Sequence, residues 1–105
     1  VIAFAATENE TNCKSGAGVV YGFVAYNNSA TVAYLTLYEN TASTVCGTGE
    51  VETHLIPAST SGAGFVVNFA MPTAFATGIS YCITTGIGGT GAVAANSGSA
   101  TLYYR

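Results

Sequence analysis

The chain has 105 residues, 50% of them hydrophobic and only 7% charged, and carries a formal net charge of −3. That length fits one domain with a modest core, and the charged fraction is far below the usual quarter. Lys14 and Arg105 are the basic residues, too few for phosphate neutralisation, so neither nucleic acid nor an anionic membrane is an expected partner. The longest apolar runs fall far short of a membrane span. The surface must therefore consist of Thr, Ser, Asn, Gly and Ala. The chain opens at Val1 without a start methionine, charged leader or cleavage pattern, which leaves an upstream segment open.

Residues 1–17 read as an N-terminal arm and loop. Val1 to Ala6 is apolar, a first strand or an arm docked on a neighbour, and Thr7 to Ser15 is polar and loop-like. Residues 18–39 read as a central hairpin, two strands rich in β-branched and aromatic residues joined by Asn27-Asn28-Ser29-Ala30. In that register Val20, Gly22, Val24 and Tyr26 lie opposite Leu37, Leu35, Ala33 and Thr31. The other face carries Val19, Tyr21, Phe23 and Ala25 opposite Tyr38, Thr36, Tyr34 and Val32. Both faces are apolar, whereas a half-buried strand would alternate with polar residues. One face covers the core. The other, with Tyr21, Phe23, Tyr34 and Tyr38, needs cover from a loop of the same chain or from a second subunit. These four residues are the candidate oligomer interface.

Asn40 to Gly49 is a Thr/Ser/Gly loop expected over one end of the sheet. Glu50 to Ile56 reads as a strand ended by Pro57, and Ser59 to Gly64 as a turn cluster. Phe65 to Ala70 is the next strand, with Phe65, Val67, Phe69 and Met71 assigned to the core. Thr73 to Gly78 is a short connection plugged by Phe75. Ile79 to Thr84 is a strand, Gly86 to Gly91 a mobile loop or edge, Ala92 to Ala95 a short strand and Ala100 to Tyr104 the closing strand. No segment has a useful helical period. Roughly six to eight short strands with Gly, Pro and Asn turns predict an all-β chain of one domain over 1–105: a two-sheet antiparallel sandwich, jelly-roll or immunoglobulin-like Greek key.

The hairpin register, extended outward, brings Cys13 near Cys46 and predicts a disulfide between them in an oxidising compartment, leaving Cys82 as a buried thiol. His54 is the one histidine and the chain has no Asp; without an orienting carboxylate and a nucleophile beside it, His54 reads as structural. Glu50 and Glu52 share a strand face and read as solvated carboxylates rather than a glycosidase pair or calcium ligands. Cys13, Cys46, Cys82 and His54 lack the close spacing of a zinc module. Gly86 to Gly91 lacks the lysine and following helix of a phosphate loop. No catalytic residue, cofactor or metal is expected.

Several pieces in order carry a resemblance: Val20-Tyr-Gly22; the run Tyr26-Asn-Asn-Ser-Ala-Thr-Val-Ala-Tyr-Leu-Thr-Leu-Tyr38; Ile56-Pro-Ala58; Phe75-Ala-Thr-Gly-Ile79; Ala92-Val-Ala-Ala95; and the ending Leu102-Tyr-Tyr-Arg105. From about Gly18 onward the chain resembles small tailed-bacteriophage capsid decoration, or cement, proteins. The resemblance implies a compact β-sandwich without catalytic residues, a homo-oligomer, typically a trimer. It implies residence on the outer capsid surface of the virion, fastening neighbouring copies of the major capsid protein. The cysteines are not part of the resembling pattern. The doubly apolar hairpin would then supply the trimer surface, and the uncharged loops with the Val1–Ala6 arm the shell contact. The alternative is a fibre or neck-fibre domain binding host-surface glycan.

Overall fold

A computed structural model describes residues 2–39, 46–47, 49–58, 64–87, 89–93 and 97–105, with backbone alone for 2–3 and 64–70. Among these residues there are eight strands: β1 (Ile2–Ala3), β2 (Thr11–Lys14), β3 (Gly18–Asn27), β4 (Ala33–Tyr38), β5 (Glu50–Ile56), β6 (Gly64–Phe75), β7 (Ile79–Thr84) and β8 (Gly98–Tyr104). They form two four-stranded sheets, β1-β8-β3-β6 (sheet A) and β2-β7-β4-β5 (sheet B), and every pairing is antiparallel. The pairs β1–β8, β2–β7, β3–β6 and β4–β5 nest like the rungs of one long hairpin rolled up on itself. This is the jelly-roll order, and it decides between the two expected topologies.

The core lies between the sheets. Val20, Phe23 and Ala25 of β3 meet Leu35 and Leu37 of β4, Ile56 of β5, and Ile79, Tyr81 and Ile83 of β7 in one buried cluster. Phe4, Phe75 and Val93 join it from the connections and strand ends, so Phe75 is the plug its sequence position predicts.

The predicted central hairpin does not form. β3 and β4 belong to different sheets, each between two other strands, and neither pairs with the other. A hairpin and an arch have the same signature, two apolar strands around a short polar turn. The difference lies in what the turn binds. Here Asn28 N–H donates to the Ser97 carbonyl (2.6 Å), and the Asn27 amide donates to the Thr31 and Pro57 carbonyls (3.1 and 3.2 Å). The turn is thus tied to strand ends of both sheets, and Asn27 is buried with its donors used.

Residues 1–17 are also more than an arm and loop. Ile2 and Ala3 pair with Ala100 and Ser99, and the Phe4 N–H donates to Gly98, so the described part of the arm docks on its own chain. Thr11–Lys14 is a strand, paired with β7. The connection before it is shaped by Asn9, at φ 53°, whose side chain accepts from Ala5 N–H and donates to the Ala5 and Thr7 carbonyls; Asn is among the few residues that adopt this conformation readily.

β6 runs past the predicted end at Ala70 and through Pro72, and its register with β3 jumps between Val20↔Thr73 and Gly22↔Asn68. Met71 sits in this irregular stretch and is 84% exposed, so it is not core. The turn cluster at 59–63 and the side chains of Phe65, Val67 and Phe69 lie outside the described residues. So do Ala94 and Ala95; Ala92 and Val93 are not in a strand.

Candidate functional site: an uncharged tyrosine face

Each sheet has an outer face, and the two differ. On sheet B the outward positions of β4 and β7 are Tyr34, Thr36 and Tyr38 against Thr84, Cys82 and Ser80. Apart from half-buried Tyr34, all are buried: Thr36, Ser80, Cys82 and Thr84 are fully hidden and Tyr38 nearly so. The cover comes from two loops. Cys46 is joined to Cys82 by a disulfide, with their Cα atoms 6.1 Å apart, and Gly47 N–H donates to the Tyr38 hydroxyl at 2.9 Å. Gly89, at φ 79°, lies against the same hydroxyl so closely that a Cβ would come within 2.2 Å of it. Only glycine fits both the conformation and the space.

This corrects two expectations. The predicted Cys13–Cys46 disulfide is absent; Cys46 pairs with Cys82, and Cys13 is free and half-buried against the core. The extrapolated register failed because the hairpin it extended does not exist. Cys13 sits at a bulge in β2, on the inner side of the sheet, whereas Cys82 points outward. Burial pushes the Cys13 thiol up to about 11.

On sheet A the outward positions carry Tyr21, Val24 and Tyr26 from β3 and Ser99, Thr101 and Tyr103 from β8. Val24 pairs with Thr101, Tyr26 with Ser99, and Gly22 with Tyr103. Tyr21, Tyr26 and Tyr103 are 40%, 41% and 52% exposed, and no described loop covers them. The four strands of sheet A contain no charged residue. Lys14, Glu50 and Glu52 lie on sheet B strands, and Glu8, Glu10, Glu39 and Arg105 lie in connections or just past β8. The result is an uncharged, tyrosine-bearing sheet face on an acidic chain. An exposed face of this kind is a candidate association site, and Tyr suits one because its ring buries while its hydroxyl stays hydrated.

The four residues of the predicted interface are not brought together. Phe23 is fully buried in the core, Tyr38 lies under the sheet B cap, Tyr34 is half-buried on sheet B, and Tyr21 alone is on the sheet A face. The bulge between Val20 and Gly22 explains part of this: it switches the parity of β3, so that Val20 and Phe23 both point inward. Val24 and Tyr26 were missed for the same reason, and Tyr103 because the pairing of β8 with β3 was not predicted. The glycine inside an otherwise aromatic and β-branched strand was the available signal.

One polar cluster joins β5 and β6 at the sheet edges. The Thr73 hydroxyl donates to Glu52 (2.9 Å to Oε2), and His54 Nε2 lies 3.6 Å from Glu52 Oε1, its ring edge-on to Phe23 at 5.3 Å. The carboxylate stands between the hydroxyl and the imidazole, whereas nucleophile activation needs the imidazole in the middle. Glu50 is not beside Glu52 on one face, because a bulge between Leu37 and Tyr38 pairs Glu50 with outward Tyr38 and Glu52 with inward Leu37. Among the described residues no three His, Cys, Asp or Glu side chains converge as a metal site. Within Gly86–Gly91, Gly86 N–H donates to the Thr90 carbonyl and Thr85 N–H to the Gly91 carbonyl, and Gly89 lies over Tyr38. Comparison with protein-family models, curated proteins and solved structures finds no match to this chain.

Proposed function

We propose that this chain is a structural virion subunit without catalytic activity, a capsid decoration protein that lays its sheet A face on the outer capsid surface and steadies the shell. The observation that carries the reading is the asymmetry of the sandwich: one outer face sealed by a disulfide-held cap, the other uncharged, rich in tyrosine and covered by no described loop. Such a face binds by apolar burial, and many copies on a repeating lattice convert modest single contacts into firm attachment. The family resemblance supports the same reading and adds a homo-oligomer, typically a trimer, with the major capsid protein as partner. No cofactor, nucleic acid or membrane is part of this proposal.

The test is thermal stability of the virion with and without the chain, followed by add-back. Restored shell stability with the native chain and loss of binding by Tyr26→Ala/Tyr103→Ala is the expected result. Shells that neither bind the chain nor gain stability from it would contradict the proposal. A second reading, a fibre or neck-fibre domain gripping host-surface glycan, is favoured by the hydroxyls of Ser99 and Thr101 beside the exposed rings. Glycan-array binding abolished by the same substitutions would select it.

A further inference from the structure

The end of the sandwich where β3 crosses to β4 holds a cavity of about 200 Å³, between the Asn27–Ala33 arch and the segments around Thr85 and Val93. That is below the roughly 300–1,000 Å³ of pockets for drug-sized ligands and several times the roughly 30 Å³ that one water occupies in the liquid. Interiors packed to crystal density leave few hollows of this size. Its floor is Asn27, Ala33, Val93 and Ser97, all buried, and its rim includes Thr31 and Ala92, both exposed. Both walls are fastened to the body of the sandwich. On one side Asn28 N–H donates to the Ser97 carbonyl, the Asn27 amide to the Thr31 and Pro57 carbonyls, and Thr31 N–H to the Ser29 hydroxyl. On the other, Thr85 N–H donates to the Gly91 carbonyl and Val93 N–H to the Thr7 carbonyl. The cavity is therefore preformed, and a ligand entering it bears little of the cost of ordering it.

The lining selects the class of ligand. Ser29, Thr31 and Thr85 bring hydroxyls, which both donate and accept, and Val32, Ala92 and Val93 bring apolar surface. None of the residues lining it is charged. The two basic residues, Lys14 and Arg105, lie at the opposite end: a Cβ on Gly18, at the far end of β3 from Asn27, would come within 3.1 Å of Lys14 Cδ and 2.6 Å of the Arg105 carbonyl oxygen. Glu8, whose carboxylate accepts from Gly91 N–H at 2.9 Å, is not in the lining. A carboxylate, phosphate or ammonium group would lose hydration here without gaining a partner, which is strongly unfavourable. A small ring with hydroxyls on its edge and C–H groups on its faces meets both kinds of surface. We propose that this cavity binds one uncharged sugar residue. The site lies at the end of the sandwich rather than on the sheet A face, so it goes beyond the capsid reading and uses neither Ser99 nor Thr101.

The test follows the amide NMR signals of the isotope-labelled chain during titration with glucose, galactose, mannose and N-acetylglucosamine, and with the uronate and amino-sugar counterparts of each hexose. At least one neutral sugar should shift the amides of Thr31, Thr85 and Val93 with a dissociation constant on the order of 1 mM. Its charged counterparts should bind at least about tenfold more weakly. Ala92→Leu, which enlarges a rim side chain, should abolish the shifts while the rest of the spectrum stays native. Thr31→Ala should weaken binding about two- to tenfold through one lost hydroxyl, and Ser99→Ala/Thr101→Ala should leave it unchanged. Matching shifts from a disaccharide ending in the same sugar would support a glycan chain end as the source, and their loss a free monosaccharide. No shift with any neutral sugar, equal binding of the uronates, shifts that survive Ala92→Leu, or shifts confined to Ser99, Thr101 and Tyr103 would overturn the proposal. Capsid binding by a chain that answers to no sugar would overturn it while leaving the proposed function standing.

Discussion

The two outer faces of this sandwich have similar sequences and different fates. β3 and β4 are both interior strands with two tyrosines each, yet Tyr38 of β4 is 2% exposed and Tyr26 of β3 is 41% exposed. Strand composition does not account for the difference. On sheet B a disulfide and a glycine turn hold loops over the tyrosine; on sheet A nothing described does. Similar outer faces thus differ in cover: the one on sheet B is sealed by its own chain, and the one on sheet A has no described loop over it.

Substitutions can break that contrast, the largest effect first. Phe23 and Tyr21, two residues apart in β3, differ most: Phe23→Ala should cost about 3–5 kcal/mol through core loss and cavity formation, while Tyr21→Ala should stay within about 0.5 kcal/mol. Denaturant midpoints at a common slope read this directly. Comparable losses at both positions would mean that β3 does not turn its parity at Gly22.

Removing the cap's staple comes next. The disulfide closes a sequence separation of 36 residues, for which chain entropy gives on the order of 3–4 kcal/mol. Reductant or Cys46→Ala/Cys82→Ala should lower stability by that amount and expose Tyr38 to solvent, with Tyr26 and Tyr103 unchanged. Equal stability in oxidised and reduced forms would count against the staple.

Gly89→Ala is a smaller and more local break. The added methyl meets the Tyr38 hydroxyl and the Gly47 backbone at a left-handed φ, a cost of about 1–3 kcal/mol. The same change at Gly16, where nothing lies within 4 Å and φ is ordinary, should be nearly neutral in the same unfolding experiment.

The smallest effect is alkaline. Burial raises Cys13 from 9.0 to about 11, and burial with the nearby Cys13 thiolate raises Tyr81 from 10.0 to about 12. Both groups stay neutral in the folded chain after the unfolded chain has begun to ionise. Their contribution is therefore intact below pH 9.0 and is lost as pH rises through about 11 and about 12. Cys13→Ser should move the onset of this loss upward, toward the tyrosine's own range, in stability-against-pH curves.

Much of the architecture was legible in the sequence. β5 and β7 begin and end where Pro57, the flanking glycines and the apolar runs place them, and short strands with turn residues between them announced a sandwich. What could not be read was pairing. An arch and a hairpin demand the same local residues, and the choice is made by distant carbonyls at Ser97 and Pro57 that satisfy the turn. Bulges at Gly22 and Val51 each moved side chains to the opposite face, because strand parity changes with one extra residue. The tyrosine face was half visible: Tyr21 was found, Tyr26 was missed through the bulge, and Tyr103 was missed because the pairing of β8 with β3 was not predicted. The disulfide inherited the pairing error, since Cys46 meets Cys82 across a face that a β3–β4 hairpin would not have created.

Tyrosine-selective chemical labelling read by mass spectrometry, on the free chain and on the capsids that the proposed function says it binds, tests both faces at once. In the free chain Tyr21, Tyr26 and Tyr103 should label readily and Tyr38 should not; in the particle the three sheet A tyrosines should become protected. Labelling of Tyr38 as fast as Tyr103 in the free chain, or undiminished labelling of Tyr26 and Tyr103 on the virion, would contradict the assignment of one sealed face and one working face.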